Sequence, residues 1–134
     1  VNKLKGRIVN IDSSEAMSLV EVDVGGDIFS SIVLETPQSA PYLKCGNPID
    51  ILFKETEVSI AKNLSGQISI RNRIKSVIKK IECGEILAKI TLDYKGRNIV
   101  SIITTKSAKR LELEIGETID WLVKTNEVSL CHTT

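Results

Sequence analysis

"SLVEVDVGGDIFSSIV", residues 18–33, decides how the whole chain is read. Val20, Val22 and Val24 alternate with Glu21 and Asp23, the period of two that marks a strand with one buried face. "VGGD" (24–27) then supplies a hairpin turn, where glycine takes a positive φ without steric cost. Seventy positions later the pattern returns as "AKITLDYKGRNIVSII" (88–103). Ile90, Leu92 and Tyr94 alternate with Thr91 and Asp93, and "YKGR" (94–97) makes the turn.

The match extends outward in both directions. "LKGRIVNIDSSEA" (4–16) falls on "IKSVIKKIECGEI" (74–86), and "LKCGNPIDILFKETEVSIA" (43–61) on "LEIGETIDWLVKTNEVSLC" (113–131). Asp23/Asp93, Gly26/Gly96, Gly46/Gly116, Asp50/Asp120, Lys54/Lys124 and Val58/Val128 all stand 70 apart, a single ungapped register. The chain is a tandem duplication. Its expected repeats are residues 1–62 and 63–134, joined by the loop-forming stretch "AKNLSGQ" (61–67).

Each repeat reads as five short strands. "IDILFK" and "IDWLVK" are near-continuous apolar runs, as in strands buried on both faces, and "EVSIA" and "EVSLC" supply the last strand. "QSAPYLKCG" and "KSAKRLELEIG" each read as a helical turn or two closed by glycine. The expected fold is all-β: two tandem OB-like five-stranded barrels, each with one short helix. A chain of about 60 residues buries too little surface to be robust alone. Packing of the two copies, or strands swapped within a dimer, would remedy that.

Composition narrows the function. The net charge is +1 and aromatics make up 4%, which disfavours a nucleic-acid surface with a stacking platform. No apolar run approaches the roughly 20 residues that cross a bilayer, and the start lacks a signal-peptide pattern, so a cytoplasmic protein with no membrane role is expected. Cys45, Cys83 and Cys131 form no C-x-x-C pair and read as inert thiols rather than metal ligands. His132 is the single histidine, and its neighbour Cys131 would point to the opposite face of a strand. No nucleophile–base pair emerges and no catalytic residue is assigned: the expectation is a binding module, not an enzyme. Starting at Val1 without methionine, the chain reads as a piece of something longer.

Where the repeats differ at polar positions, function is the place to look. The second repeat carries Ser69, Arg71 and Asn72 in "SIRN", where the first has Val1 opposite Arg71 and Asn2 opposite Asn72. It also carries "TTKSAKRL" (104–111) against "LETPQSAP" (34–41), so Thr104 meets Leu34, Lys106 meets Thr36 and Ser107 meets Pro37. Taken singly, Ser107 reads as a helix cap and Arg71 as a surface ion-pair residue. Together the clusters gather hydroxyl and cationic donors and no carboxylate. A doubly charged tetrahedral anion presents only acceptors, so such a set suits a small oxyanion; hydrogen phosphate would also need an acceptor for its proton.

The combination S-x-R-N, T-x-x-S before the short helix, L-x-L-x-x-G after it and V-K-x-x-x-V at the end resembles the Mop-type molybdate-binding module, also called the TOBE domain. The resemblance covers the whole second repeat, and the duplication carries it across the first. It implies an OB-like barrel that holds molybdate, and usually tungstate, between subunits by hydrogen bonds, with no bond to the metal and no organic cofactor. Carried over by motif, the anion-binding positions are Ser69, Arg71, Thr104, Ser107 and Lys124, with Asn72, Lys106 and Thr125 in second rank. Lys54 keeps the family's lysine in the first repeat, whose Val1, Leu34 and Pro37 depart from the motif. The resemblance further implies a homo-oligomer, a dimer being favoured. It points to the ligand-sensing domain of a molybdate-dependent transcription regulator, touching DNA only through an N-terminal domain not in this chain. The alternatives are a stand-alone molbindin for cytoplasmic molybdate storage and homeostasis, or the regulatory tail of a molybdate transporter ATPase.

Overall fold

A computed structural model describes residues 1–132. It is almost entirely β, with ten strands in two five-stranded sheets. The strands are β1 (Asn2–Ser14), β2 (Met17–Val24), β3 (Asp27–Val33), β4 (Pro48–Phe53), β5 (Ser59–Ala61), β6 (Asn72–Cys83), β7 (Leu87–Tyr94), β8 (Arg97–Thr104), β9 (Thr118–Val123) and β10 (Ser129–Cys131). One α-helix, α1 (Thr105–Arg110), follows β8, and short 3₁₀ turns cover Glu55–Glu57 and Thr125–Glu127. No described helix is long and apolar enough to cross a membrane.

The sheets do not divide as the repeats do. One has the order β10-β4-β1-β2-β3 and the other β5-β9-β6-β7-β8. The short strand that ends each repeat is therefore donated to the sheet built by the other. Accordingly, among the described residues one compact unit comprises Val1 with residues 3–53 and 124–132, and the other Asn2 with residues 54–123.

Within each unit the donated strand is fastened the same way. Ser31 Oγ on β3 donates to the Val128 carbonyl at 2.5 Å in the first unit, and Ser101 Oγ on β8 donates to the Val58 carbonyl at 2.6 Å in the second. Both serines are buried. The donated strand or its 3₁₀ turn also touches the opposite edge strand, curling each sheet into a barrel.

Both long strands carry a bulge at the matching place, between Ile8 and Asn10 in β1 and between Ile78 and Lys80 in β6. Just beside it, Gly46 N–H donates to the Ile8 carbonyl and Gly116 N–H to the Ile78 carbonyl, each at 2.8 Å. The hairpins are alike too. Asp23 and Asp93 each accept the N–H of the turn glycine three residues on, at 2.8 and 2.9 Å.

The cores differ in one layer. The second barrel is centred on Trp121, fully buried, edge-on to Tyr94 at 5.7 Å and donating from Nε1 to Ser76 Oγ at 2.9 Å. In the first barrel the corresponding places hold Ile51, Val24 and Gly6. A Cβ at Gly6 would lie 2.6 Å from Val22 Cγ1 and 2.7 Å from the Asp23 carbonyl oxygen. The smaller residue lets β1 press closer to β2 where no indole needs an acceptor.

The first repeat forms no counterpart of α1. Thr36 carbonyl accepts from Ser39 and Ala40 N–H in a single turn, and Pro41, without an N–H, stops it. Ser31→Ala and Ser101→Ala are each expected to cost about 1 kcal/mol, the usual net worth of a hydrogen bond, measurable as a lower urea midpoint.

Candidate functional site

Thr104, the last residue of β8, is the N-cap of α1. Its Oγ1 accepts the Ser107 N–H at 3.1 Å and donates to Ser107 Oγ at 2.9 Å, so the two hydroxyls stand side by side and exposed. The cap is held to the β6–β7 loop by the next residue. Thr105 donates from its backbone N–H to the Ile86 carbonyl and from Oγ1 to the Gly84 carbonyl, each at 2.8 Å. Lys106 is exposed on the helix beside them. Capping and anion binding are compatible here, because the cap uses the Ser107 amide and leaves its hydroxyl facing outward.

Ser69 and Arg71 lie exposed in the segment leading into β6, while Asn72 is buried and pairs with Val123 of β9. The third polar residue of that stretch has a structural task. Arg73 Nε donates to Asp120 at 2.6 Å and its Nη2 to the Leu64 carbonyl at 3.1 Å. Lys75 reaches the other Asp120 oxygen at 2.8 Å. Along the β6–β7–β8 ladder, Arg71 adjoins the end where β6 meets Val123, and Thr104 lies at the other end beside Leu87.

The strand exchange reassigns the lysines. Lys54 begins the 3₁₀ turn that packs on β8, so it shares a unit with Thr104, Ser107, Ser69 and Arg71. Its backbone N–H donates to Glu57 at 3.0 Å. Lys124 and Thr125 begin the corresponding turn in the first unit.

The first repeat holds a hydroxyl pair of its own, out of step with the ungapped register. Thr36 Oγ1 accepts the Ser39 N–H at 3.4 Å, and the Thr36 N–H donates to Ser39 Oγ at 2.9 Å. "TPQSA" (36–40) is thus the local counterpart of "TTKSA" (104–108), with Ala40 and Ala108 both buried. The first repeat has two more residues before this motif and two fewer after it. The shared T-x-x-S-A could have revealed the shift. Pro37 stands where Thr105 ties down the second motif, and it offers neither N–H nor hydroxyl.

The fold is thus a pair of OB-like barrels, the second unit carrying a capped hydroxyl pair. The TOBE domain family matches residues 68–130. The molybdenum import ATP-binding protein ModC of Brucella abortus (strain 2308) is 32% identical over 111 residues, 82% of this chain and 29% of its own length. The molybdenum transport protein ModE of Herbaspirillum seropedicae is 33% identical over 72 residues, 53% of this chain and 27% of its own length. Among solved structures, the cytoplasmic molybdate-binding protein ModG, with molybdate bound, has a TM-score of 0.91 and 26% identity, covering 98% of this chain and 96% of its own. The chain spans less than a third of the length of these curated relatives. Residues 68–130 thus carry a TOBE domain, and the chain as a whole has the fold of the ModG structure.

Asp120 tests the architecture beneath "SIRNR". Burial opposes its ionisation, but the hydrogen bonds from Lys75 and Arg73 outweigh that and hold the carboxyl below the usual carboxylate range. The pairing therefore stabilises the fold above the ordinary carboxylate pKa and is lost as pH falls through the lowered one. Asp120→Asn is expected to cost about 1.5–3 kcal/mol at neutral pH and to flatten the acid limb of the stability profile, followed by urea unfolding across that range.

Proposed function

We propose that the chain binds molybdate, and tungstate by the same chemistry, in the cytoplasm, as a ligand-sensing module rather than an enzyme. The observation that carries this reading is the near full-length likeness to ModG, crystallised with molybdate. The donor set supports it. Thr104, Ser107, Ser69 and Arg71 offer hydroxyls and a guanidinium, a combination suited to an acceptor-only dianion.

Lys54 completes the set in the second unit, with Asn72 and Lys106 in supporting places. Lys124, Thr125, Thr36 and Ser39 make a poorer set in the first. The anion is held by hydrogen bonds alone, with no organic cofactor. Exposure of Ser69 and Arg71 leaves them accessible to a second copy, and the proposed site is completed in a homodimer. A ligand bridging two copies favours the state in which the donors converge, which is what a sensor requires.

In this reading the module serves a molybdate-dependent transcription regulator, and DNA is touched by another domain. Two other settings each have an observation in favour. The ModC likeness extends over 82% of the chain, which suits a regulatory tail of an importer ATPase. The coverage of ModG from end to end suits a stand-alone storage protein.

Calorimetry with molybdate, tungstate, sulfate and a single-stranded oligonucleotide tests the reading. Tight binding of the first two and indifference to the others is expected; equal affinity for sulfate would sink it. Arg71→Ala should weaken molybdate binding by about 1.5–3 kcal/mol, the range for a charge-assisted hydrogen bond, with the fold unchanged, whereas Lys5→Ala should do little.

A further inference from the structure

A cluster of cationic side chains lies elsewhere on the second unit. Across the outer face of β6, β7 and β8 runs a groove of about 390 Å³ lined by Lys79, Lys80, Glu82, Lys89, Thr91, Asn98 and Val100. The bulge builds it. Lys80 pairs with Thr91 and Ile78 with Leu92, so Lys79 is the extra residue, and two consecutive lysines serve one groove. Lys79 donates to Asn98 Oδ1 at 3.1 Å, which leaves the Asn98 amide NH₂ as a donor. Thr91 is 9% exposed and lines the groove, and its hydroxyl has no side-chain hydrogen bond among the described residues.

The first repeat has nothing comparable on the same scaffold. Positions 79, 80, 89 and 98 correspond to Val9, Asn10, Leu19 and Ile28. The overall charge of +1 conceals the contrast: residues 63–134 hold twelve Lys and Arg against eight Asp and Glu, and residues 1–62 hold six against nine. Glu82 sits 3.6 Å from Lys80. One carboxylate among cations and neutral donors distinguishes this groove from the donor-only hydroxyl site. A phosphoryl group that retains a proton needs one acceptor as well as several donors.

We propose that this groove binds a small anion carrying two or more phosphoryl groups. Lys79 and Lys80 lie on β6 and Lys89 on the neighbouring β7, about 4.8 Å away strand to strand, and three cations shared between two strands suit linked phosphates better than one tetrahedral ion. The groove has no aromatic lining on which bases could stack, which favours a compact phosphate ligand over a nucleic-acid strand.

Calorimetry of the full chain with sodium tripolyphosphate, ATP, inorganic phosphate and an oligothymidylate at low and physiological salt tests this. Tripolyphosphate is expected to bind one site per chain and more tightly than phosphate. ATP matching tripolyphosphate identifies the phosphate chain as what is recognised; ATP binding tighter identifies a nucleotide as the source. The double variant Lys79→Gln, Lys89→Gln should lose tenfold or more in affinity, and Thr91→Val several-fold. Lys44→Gln, in the other unit, should change nothing, and thermal melts should show all variants folded. Undiminished affinity in the folded double variant, no binding of tripolyphosphate, or tighter binding of the oligothymidylate would each overturn the proposal.

Discussion

Each barrel is closed by a strand that the other repeat encodes, and the rest of the structure depends on that closure. The fastening is small: a buried serine hydroxyl on the third strand of a repeat meets a valine carbonyl just before the donated strand, Ser31 to Val128 and Ser101 to Val58. A buried carbonyl without a donor is costly, so these bonds help hold the donated strand in place. The exchange also determines which lysine accompanies which hydroxyl pair. Lys54 is encoded by the first repeat but stands in the unit of Thr104 and Ser107.

The same backbone has been given two kinds of surface. Inside, positions 70 apart remain apolar, and even Trp121 is balanced by changes in its own layer, Ser76 and Tyr94 replacing Gly6 and Val24. Outside, the second repeat carries the tethered Thr104 cap and a lysine-lined groove, while the first carries Pro37 and more carboxylates than cations. Packing constrains the interior of a barrel to about one methylene; outward positions have no such constraint and can take on different ligands after duplication.

Much of the fold was legible because alternation and hairpin glycines are local signals. The pairs Val20/Ile90 and Val22/Leu92 and the turns at Gly26 and Gly96 lie where the pattern put them. The exchange was not legible for a physical reason. "EVSIA" and "EVSLC" present nearly the same side chains, so pattern alone cannot say which sheet takes which strand. The Thr36–Ser39 pair was hidden by two compensating length changes that left the register on either side intact. At the site, the Thr104 cap could be read from residue types, whereas Arg73 looked like its neighbour Arg71 until the buried Asp120 beneath it was seen. The lysine groove depends on a bulge, and a bulge has no dependable sequence mark.

Trp121 is the sole tryptophan, and it is enclosed in the second barrel against Ser76 and Tyr94. Indole emission from this protein is therefore a local reporter. It is sensitive to water reaching the layer beneath β6 and β9, and blind to loosening around Phe29 and Phe53 in the other barrel. A change in that signal alone describes half of the molecule, and amide circular dichroism or exchange at the Phe29 strand must supply the other half.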